Sequence, residues 1–120
     1  MLEEKTQHLD TLQLNLLFFY GGQQEITQAI QKIATQVQNG EININEISIN
    51  TIKDSLWTAG IPDPELIIRT GKVKRLSNFL PYQSTYSELM FIDSFWPETD
   101  ENLLQNCINE FTGIQRNFGS

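Results

Sequence analysis

Hydrophobic residues near the start of the chain first alternate with polar ones and then run together, in LQLNLLFFY, Leu12 to Tyr20. Alternation is typical of a strand with one buried face, and an apolar run on both faces is typical of a strand inside a parallel sheet. Gly21 and Gly22 end the segment. The pattern therefore predicts a central strand over residues 12–20.

Two later segments have the period of amphipathic helices. The first runs from about Gln24 to Gln38, and Asn39-Gly40 supplies a left-handed stop. A second stripe follows Thr99, a residue able to cap a helix. The apolar members are Ile26, Ala29, Ile30, Ile33, Ala34 and Val37 in the first helix, and Leu103, Leu104, Cys107, Ile108, Phe111, Ile114 and Phe118 in the second.

The middle of the chain holds shorter elements. ELIIR, Glu65 to Arg69, and ELMFID, from Glu88, are rich in residues that favour strands. EININEISIN alternates, but its polar positions hold Asn and Glu, so we expect a loop that enters a short helix near Asn50 and ends at Gly60. FLPYQSTYS should be irregular or briefly helical, with Ser77 or Asn78 as its N-cap.

The order of elements is strand, helix, helix, strand, loop, strand, helix, which predicts an α/β fold with a partial, mainly parallel sheet flanked by helices. Three strands are fewer than most sheets contain. The first strand also needs neighbours on both edges, and the residues before it are too few to supply them. We therefore expect residues 1–120 to form a single incomplete α/β domain, the second half of a larger one.

Composition limits the classes of function. Hydrophobic residues make up 39% of the chain, enough for a core, and the net charge of −7 argues against general binding to nucleic acids or membrane surfaces. Cys107 is the only cysteine, which excludes an internal disulfide and fits a reducing cytoplasm. Met1 to Asp10 contains no recognisable signal peptide, and no apolar run approaches the ~20 residues of a membrane span. We expect a cytoplasmic protein.

Aromatic and histidine residues add little to this picture. Trp57, Trp96 and the phenylalanines are expected in the core, and Cys107 with them, although the aromatic residues could also line a groove for an apolar ligand. His8 is the only histidine and lies near a terminus that we expect to be loose, which argues against a histidine-based triad.

The most unusual segment is RTGKVKRLSN, Arg69 to Asn78. Arg69, Lys72, Lys74 and Arg75 supply half of the chain's 8 basic side chains, against 15 acidic ones elsewhere. Ligands of α/β sheets bind beyond the carboxyl ends of strands, and arginine binds phosphate oxygens bidentately. The segment therefore predicts a diphosphate site, although a solvated basic loop paired with acids explains the same charges.

Two neighbouring features have the same ambiguity. Gly21 and Gly22, before a helix, could bring backbone N–H groups to an anion, but a tight turn with positive φ is the interpretation we favour. Glu88 could bind Mg²⁺ beside a diphosphate, or it could be a surface acid at the end of a strand.

Several segments also resemble the motifs of one family. RLSNFLPYQSTYSEL, Arg75 to Leu89, resembles the Arg-hydrophobic-Ser-Asn-Phe-Leu-x-x-Gln-x-x-Tyr-x-Glu signature of cis-prenyltransferases, the family of undecaprenyl diphosphate synthase. LQLNLLFFYGGQQEI, PDPELIIRTG, DSFWPE and the final QRNFG resemble further family segments in the same order. The resemblance covers essentially the whole chain, and it corresponds to the C-terminal half of the family's fold.

The resemblance implies a function. The family uses Mg²⁺ to condense isopentenyl diphosphate with an allylic diphosphate, and its members act as homodimers or heterodimers. By resemblance, Arg69, Arg75 and Ser77 bind the isopentenyl diphosphate and Glu88 contributes to the metal site. No residue of this chain corresponds to a catalytic one, and the polyprenyl product would bring the enzyme close to a membrane.

The departures from the family matter as well. The family's N-terminal half is not matched, and with it the Asp-Gly-Asn-Gly-Arg loop that holds the metal and the allylic diphosphate. Substitutions fall at Phe19, Gln23, Asn117 and the three residues 72–74. We therefore expect a chain that supplies the isopentenyl diphosphate pocket and is inactive alone. The alternative is a non-catalytic truncated paralogue, or partner subunit, that binds a complete synthase; a nucleic-acid binder is disfavoured by the charge.

Overall fold

The computed structural model describes residues 2–116. Four α-helices, two strands and two single 3₁₀ turns make up its regular structure. In chain order these are α1 (Leu2–Thr6), α2 (Gly22–Gln38), a 3₁₀ turn (Ile44–Glu46), α3 (Ile49–Lys53), β1 (Leu66–Arg69), β2 (Glu88–Phe91), a second 3₁₀ turn (Trp96–Glu98) and α4 (Glu101–Thr112).

Helix α2 confirms the first helical stripe. Ala29 and Ile33 are buried, whereas Ile30, at the margin of the stripe, remains 58% exposed. The helix ends as predicted, because Gly40 has a φ of +73° and its backbone N–H donates to the Val37 carbonyl at 3.1 Å. Left-handed backbone at this position costs glycine little, so the helix stops there.

Strands β1 and β2 confirm the parallel sheet for two of the three predicted strands. Their register pairs Leu66 with Glu88 and Arg69 with Phe91. Ile67 is buried at the centre of β1. A parallel pair needs a long connection between its strands, and residues 70–87 provide it.

Helix α4 follows the predicted pattern with small corrections. Its N-cap is Asp100, whose Oδ1 accepts from the Leu103 N–H at 2.8 Å, so the prediction of Thr99 was wrong by one residue. Cys107 is buried, as predicted. The helix ends at Thr112; Ile114 therefore lies beyond it, and Phe118 lies outside the described residues.

The predicted first strand is wrong. Within the described part of the chain, residues 12–19 make no backbone–backbone hydrogen bond and belong to no strand. A strand requires a neighbour to satisfy its backbone groups, and the described sheet contains only β1 and β2, which pair with each other. The large apolar side chains of this segment are consequently exposed: Leu12, Leu14, Leu16, Leu17, Phe18 and Phe19.

The expected aromatic core is also wrong for both tryptophans. Trp57 is 48% exposed and Trp96 is 72% exposed. Only five apolar side chains of the described residues are buried, namely Ala29, Ile33, Leu56, Ile67 and Cys107. A core this small cannot cover the large aromatic residues.

The overall dimensions agree with incomplete burial. The accessible surface is 9664 Å², whereas a compact monomer of this length exposes roughly 6,600 Å². The radius of gyration is 17.5 Å, against about 14 Å for a compact domain. None of the helices in residues 2–116 combines the length and hydropathy that a bilayer span requires. The molecule therefore exposes apolar surface that a compact domain would bury.

We expect the isolated chain to self-associate through residues 12–19, because exposed apolar surface of this extent is unfavourable in water. Light scattering after size-exclusion chromatography should give a mass above the monomer that rises with concentration. Leu14→Lys should lower that mass, whereas Ile44→Lys, at an exposed residue of the first 3₁₀ turn, should not. A monomer at every concentration would contradict the expectation.

Candidate functional site

The basic segment leaves β1 at its carboxyl end and is anchored there to the chain beyond β2. The Ile92 N–H donates to the Arg69 carbonyl at 2.8 Å, and the Gly71 N–H donates to the Ser94 carbonyl at 2.8 Å. Gly71 and Lys72 both have positive φ, +100° and +60°. The chain therefore turns sharply at the edge of the sheet where ligands of α/β proteins commonly bind.

Arg69, Arg75 and Ser77 lie together in this segment. Arg69 Nη1 donates to the Arg75 carbonyl oxygen at 2.6 Å, and Arg75 Nε donates to Ser77 Oγ at 3.3 Å. Each guanidinium has five N–H donors, so donors remain for an anion. Within residues 2–116 neither arginine forms an ion pair with an acid. The three predicted binding residues thus form a continuous hydrogen-bonded cluster at the end of β1.

The backbone of this loop is strained. Ser77, Asn78 and Leu80 have φ values of +50°, +68° and +46°. Left-handed backbone costs a non-glycine residue about 1–2 kcal/mol, so three such residues within four positions need compensating contacts. Strain of this kind occurs frequently at binding sites.

Asn78 supplies such contacts by docking on the N-terminus of α2. Its carbonyl oxygen accepts from the Gly22 N–H at 2.8 Å, and its Oδ1 accepts from the Gln23 N–H at 2.8 Å. Its Nδ2 donates to Gln24 Oε1 at 3.0 Å. Asn78 therefore caps α2 from a distant part of the chain. Of the two expectations for FLPYQSTYS, the irregular segment is confirmed, because residues 79–86 form bends and turns; Asn78 therefore does not cap a helix of its own.

The two glycines at the N-terminus of α2, the N-cap Gly21 and the first helical residue Gly22, serve a different purpose from the one expected. Gly21 has a φ of −146°, and neither glycine has positive φ. A Cβ at Gly22 would lie 2.0 Å from Pro81 Cδ, and one at Gly21 would lie 2.2 Å from Gln24 Oε1. The glycines permit close approach of residues 78–81, and Asn78 occupies the backbone N–H groups that an anion would use.

Glu25 is a buried carboxylate that the hydrophobic pattern did not single out. Its side chain is fully buried and accepts four hydrogen bonds. Oε2 accepts from the Tyr20 hydroxyl and from Gln83 Nε2, the latter at 3.0 Å. Oε1 accepts from the Thr58 N–H at 3.2 Å and from Thr58 Oγ1 at 3.3 Å. A signal existed in the sequence, since residues 25, 29 and 33 share one helix face.

Tyr20 is closely coupled to this carboxylate. Burial, together with the hydrogen bond to the negative Glu25, raises the pKa of the Tyr20 hydroxyl well above its usual range. The Tyr20 ring also makes edge-to-face contacts with Trp57 and Phe79, with centroid distances of 5.9 and 5.8 Å. Phe79 directly follows Asn78, the last residue of the basic segment. Tyr20 therefore contacts the chain immediately after that segment.

Glu88 lies apart from the arginine cluster. It is the first residue of β2, paired with Leu66, whereas Arg69 stands at the other end of β1. Three residues along a strand separate the two positions by roughly 10 Å. A carboxylate oxygen suits Mg²⁺, but residues 2–116 contain no group of three or more His, Cys, Asp or Glu able to hold a metal ion. Glu88 alone therefore does not form a metal site within these residues.

Arg116, the last described residue, contacts the same end of the sheet at which Glu88 lies. Arg116 Nη1 forms an ion pair with Glu65 Oε1 at 2.5 Å, and Nη2 donates to the Tyr86 carbonyl at 2.9 Å. Asn117, where the sequence departs from the family, lies outside the described residues. His8 is exposed.

Comparisons with known proteins agree with the motifs. A family model described as "Putative undecaprenyl diphosphate synthase" matches residues 1–119. The chain is 47% identical over 117 residues to the (2E,6E)-farnesyl-diphosphate-specific ditrans,polycis-undecaprenyl-diphosphate synthase of Micrococcus luteus, covering 98% of this chain and 47% of that protein. It is 41% identical to the geranylgeranyl-diphosphate-specific tritrans,polycis-undecaprenyl-diphosphate synthase of Thermoplasma acidophilum, covering 99% and 46%.

Solved structures give the same result. Lavandulyl diphosphate synthase from Lavandula x intermedia, in complex with dimethylallyl diphosphate, superposes with a TM-score of 0.81 at 32% identity, covering 84% of this chain and 44% of that one. A probable undecaprenyl diphosphate synthase from Campylobacter jejuni gives 0.77 at 35% identity, covering 98% and 52%. The chain therefore spans about half the length of the curated relatives it matches.

We expect Tyr20 to make stability depend on alkaline pH. A hydroxyl whose pKa is raised on folding stabilises the folded state below the ordinary pKa of 10.0, and this contribution is lost as the pH rises above it, because the unfolded chain ionises first. The advantage in thermal midpoint of the wild type over Tyr20→Phe should stay constant up to about pH 10 and shrink between about pH 10 and about pH 12. Glu25→Gln should weaken the same trend. A constant difference from Tyr20→Phe across that range would contradict the coupling.

Proposed function

This chain belongs to the undecaprenyl diphosphate synthase family, the cis-prenyltransferases, and from that premise we propose that it supplies the isopentenyl diphosphate pocket of an isoprenyl transferase. In the proposed reaction, isopentenyl diphosphate condenses with an allylic diphosphate to form a polyprenyl diphosphate. The observation that carries the proposal is the cluster of Arg69, Arg75 and Ser77 at the carboxyl end of β1.

The cluster has the chemistry that a diphosphate requires. Two positively charged guanidinium groups offset its negative charge. Their planar donors match pairs of phosphate oxygens, and the Ser77 hydroxyl adds another donor. The exposed Lys72 and Lys74 add positive potential, which attracts anions to this part of a chain whose net charge is −7.

Glu88 is proposed as one ligand of a bound Mg²⁺. When bound, Mg²⁺ takes up the negative charge of a diphosphate. Because Mg²⁺ prefers one or two carboxylates together with phosphate oxygens, the substrate would supply further ligands. Glu88 and Arg69 lie at opposite ends of the β1–β2 pair, so the proposed roles are distinct: the cluster would hold the diphosphate, and Glu88 would contribute to the metal.

We also propose that the chain acts in the cytoplasm as part of a homo- or hetero-oligomer. The apolar surface of residues 12–19 supports this, since it needs a covering partner. The apolar polyprenyl product would keep the assembly close to a membrane.

A second candidate function is a non-catalytic subunit, or truncated paralogue, that binds a complete synthase. Phe19 supports it: the residue replaces the family's Asn beside Tyr-Gly-Gly, and its side chain is fully exposed with a φ of +53°. A large exposed aromatic residue favours contact with another protein over contact with a diphosphate. Under this candidate the arginine cluster would be dispensable in the assembly.

The first experiment measures binding of isopentenyl diphosphate to the 120-residue chain by titration calorimetry. Arg75→Ala should weaken binding by about tenfold or more, because a charge-assisted bond is lost, and Arg75→Lys should recover only part of the affinity. Lys32→Ala, in α2, removes the same charge away from the cluster and serves as the control. Equal affinities for Arg75→Ala and Lys32→Ala would contradict the pocket.

A second experiment measures chain elongation with labelled isopentenyl diphosphate, an allylic diphosphate and Mg²⁺. We expect no elongated product from the 120-residue chain alone, because it spans about half the length of its relatives. A detectable product would contradict the proposal that the chain supplies the pocket without being active by itself. In an assembly with a complete synthase, Arg75→Ala should reduce elongation under the first candidate. Under the second candidate the variant should leave elongation unchanged while the two chains still co-purify.

A further inference from the structure

The geometry points to Asn78 as the positioning residue of the arginine cluster: its side-chain amide, docked on the N-terminus of α2, holds Ser77 and Arg75 in the arrangement that binds a diphosphate. This inference rests on the proposed function, because the residues it positions belong to the proposed pocket. Asn78 itself acts through its neighbours and is not a catalytic residue.

The first argument is the completeness of the Asn78 contacts. The Oδ1, the Nδ2 and the backbone carbonyl are each engaged, with Gln23, Gln24 and Gly22 at 2.8, 3.0 and 2.8 Å. A single residue with three bonds to one helix turn has little freedom to rotate or shift. Asn78 therefore fixes the position of the loop relative to α2.

The second argument is the space that α2 leaves for this contact. A Cβ at Gly22 would collide with the Pro81 ring at 2.0 Å and would lie 3.2 Å from the Asn78 carbonyl oxygen. Any other residue at Gly22 would thus push residues 78–81 away from the helix. The glycine and the asparagine form one docking contact between parts of the chain 56 positions apart.

The third argument is the strain that this contact maintains. Ser77 and Asn78 are consecutive left-handed residues, and asparagine tolerates this conformation better than serine does. Without the bonds to α2, Ser77 would relax toward negative φ, which reorients the following peptide and its own side chain. The Asn78 contact therefore keeps Ser77 Oγ within 3.3 Å of Arg75 Nε.

The position of Arg75 in turn determines the orientation of the Arg69 side chain. The Arg75 carbonyl accepts from Arg69 Nη1 at 2.6 Å, so a shift of residues 75–77 would move the acceptor that orients the second guanidinium. The route runs from α2 through Asn78, Ser77 and Arg75 to Arg69, with a hydrogen bond or a peptide link at each step.

The test uses the full 120-residue chain with Asn78→Ala, Asn78→Gly and Asn39→Ala. Asn78→Gly keeps the carbonyl bond and tolerates positive φ, and so removes only the amide. Asn39→Ala removes an asparagine side chain at the other end of α2, where Nδ2 donates to Glu41 Oε1 at 3.0 Å, and it is the matched control. The readouts are calorimetric affinity for isopentenyl diphosphate, the thermal midpoint, and the NMR resonance of the Arg75 Nε–H without ligand.

Both Asn78 variants should weaken binding by about tenfold and shift the Arg75 Nε–H resonance, because the donors are displaced. Asn39→Ala should change affinity by no more than about twofold whatever its thermal midpoint, as for a surface substitution away from the site. Wild-type affinity in a folded Asn78→Gly would overturn the inference and leave the proposed function intact, provided that Arg75→Ala still weakens binding.

The proposed function can also fail while the positioning role of Asn78 holds. If the wild type binds no isopentenyl diphosphate, or if Arg75→Ala binds as well as wild type, the proposed function fails. The resonance of Arg75 Nε–H then decides on the positioning role by itself. A shift in Asn78→Gly but not in Asn39→Ala supports the role, and an unchanged resonance in Asn78→Gly overturns it.

Discussion

The buried carboxylate of Glu25 joins the chain segments that meet at the start of α2. A buried charge is costly unless hydrogen bonds compensate for it, and here four of them come from Tyr20, Thr58 and Gln83. These residues belong to three separate segments, which therefore meet at one turn of α2. With only five buried apolar side chains in the described residues, this polar network provides much of what fixes the segments relative to one another.

The basic segment is positioned because both of its ends are held. At its start, Gly71 bonds to Ser94 beyond β2, and at its end Asn78 bonds to the first turn of α2. Arg75, between these anchors, stays exposed to solvent. Such a loop presents positive charge on a fixed frame, which lowers the entropy that binding must overcome. The strained backbone at Ser77 and Asn78 is a consequence of this double attachment.

The chain retains the fold of the corresponding part of its relatives while exposing surface that a compact domain would bury. It superposes on a lavandulyl diphosphate synthase with a TM-score of 0.81 over 84% of its length. Local packing around α2 and the β1–β2 pair therefore accounts for much of the architecture. Residues 12–19 lie outside this packing and stay exposed, because their predicted strand requires neighbours that the described sheet does not contain.

Elements with local signals could be predicted from the sequence. The stripes of α2 and α4 follow from helical periodicity, and the strands at ELIIR and ELMFID follow from residue type. The charge run and the family motifs also pointed to Arg69, Arg75 and Ser77, which lie together in the structure. The folded structure was needed to show that residues 12–20 are not a strand, that Gly21 and Gly22 permit close packing, and that Glu25 is buried. The physical reason is that each of these depends on a partner distant in the sequence, such as a neighbouring strand, Pro81 or Gln83, which no local pattern specifies.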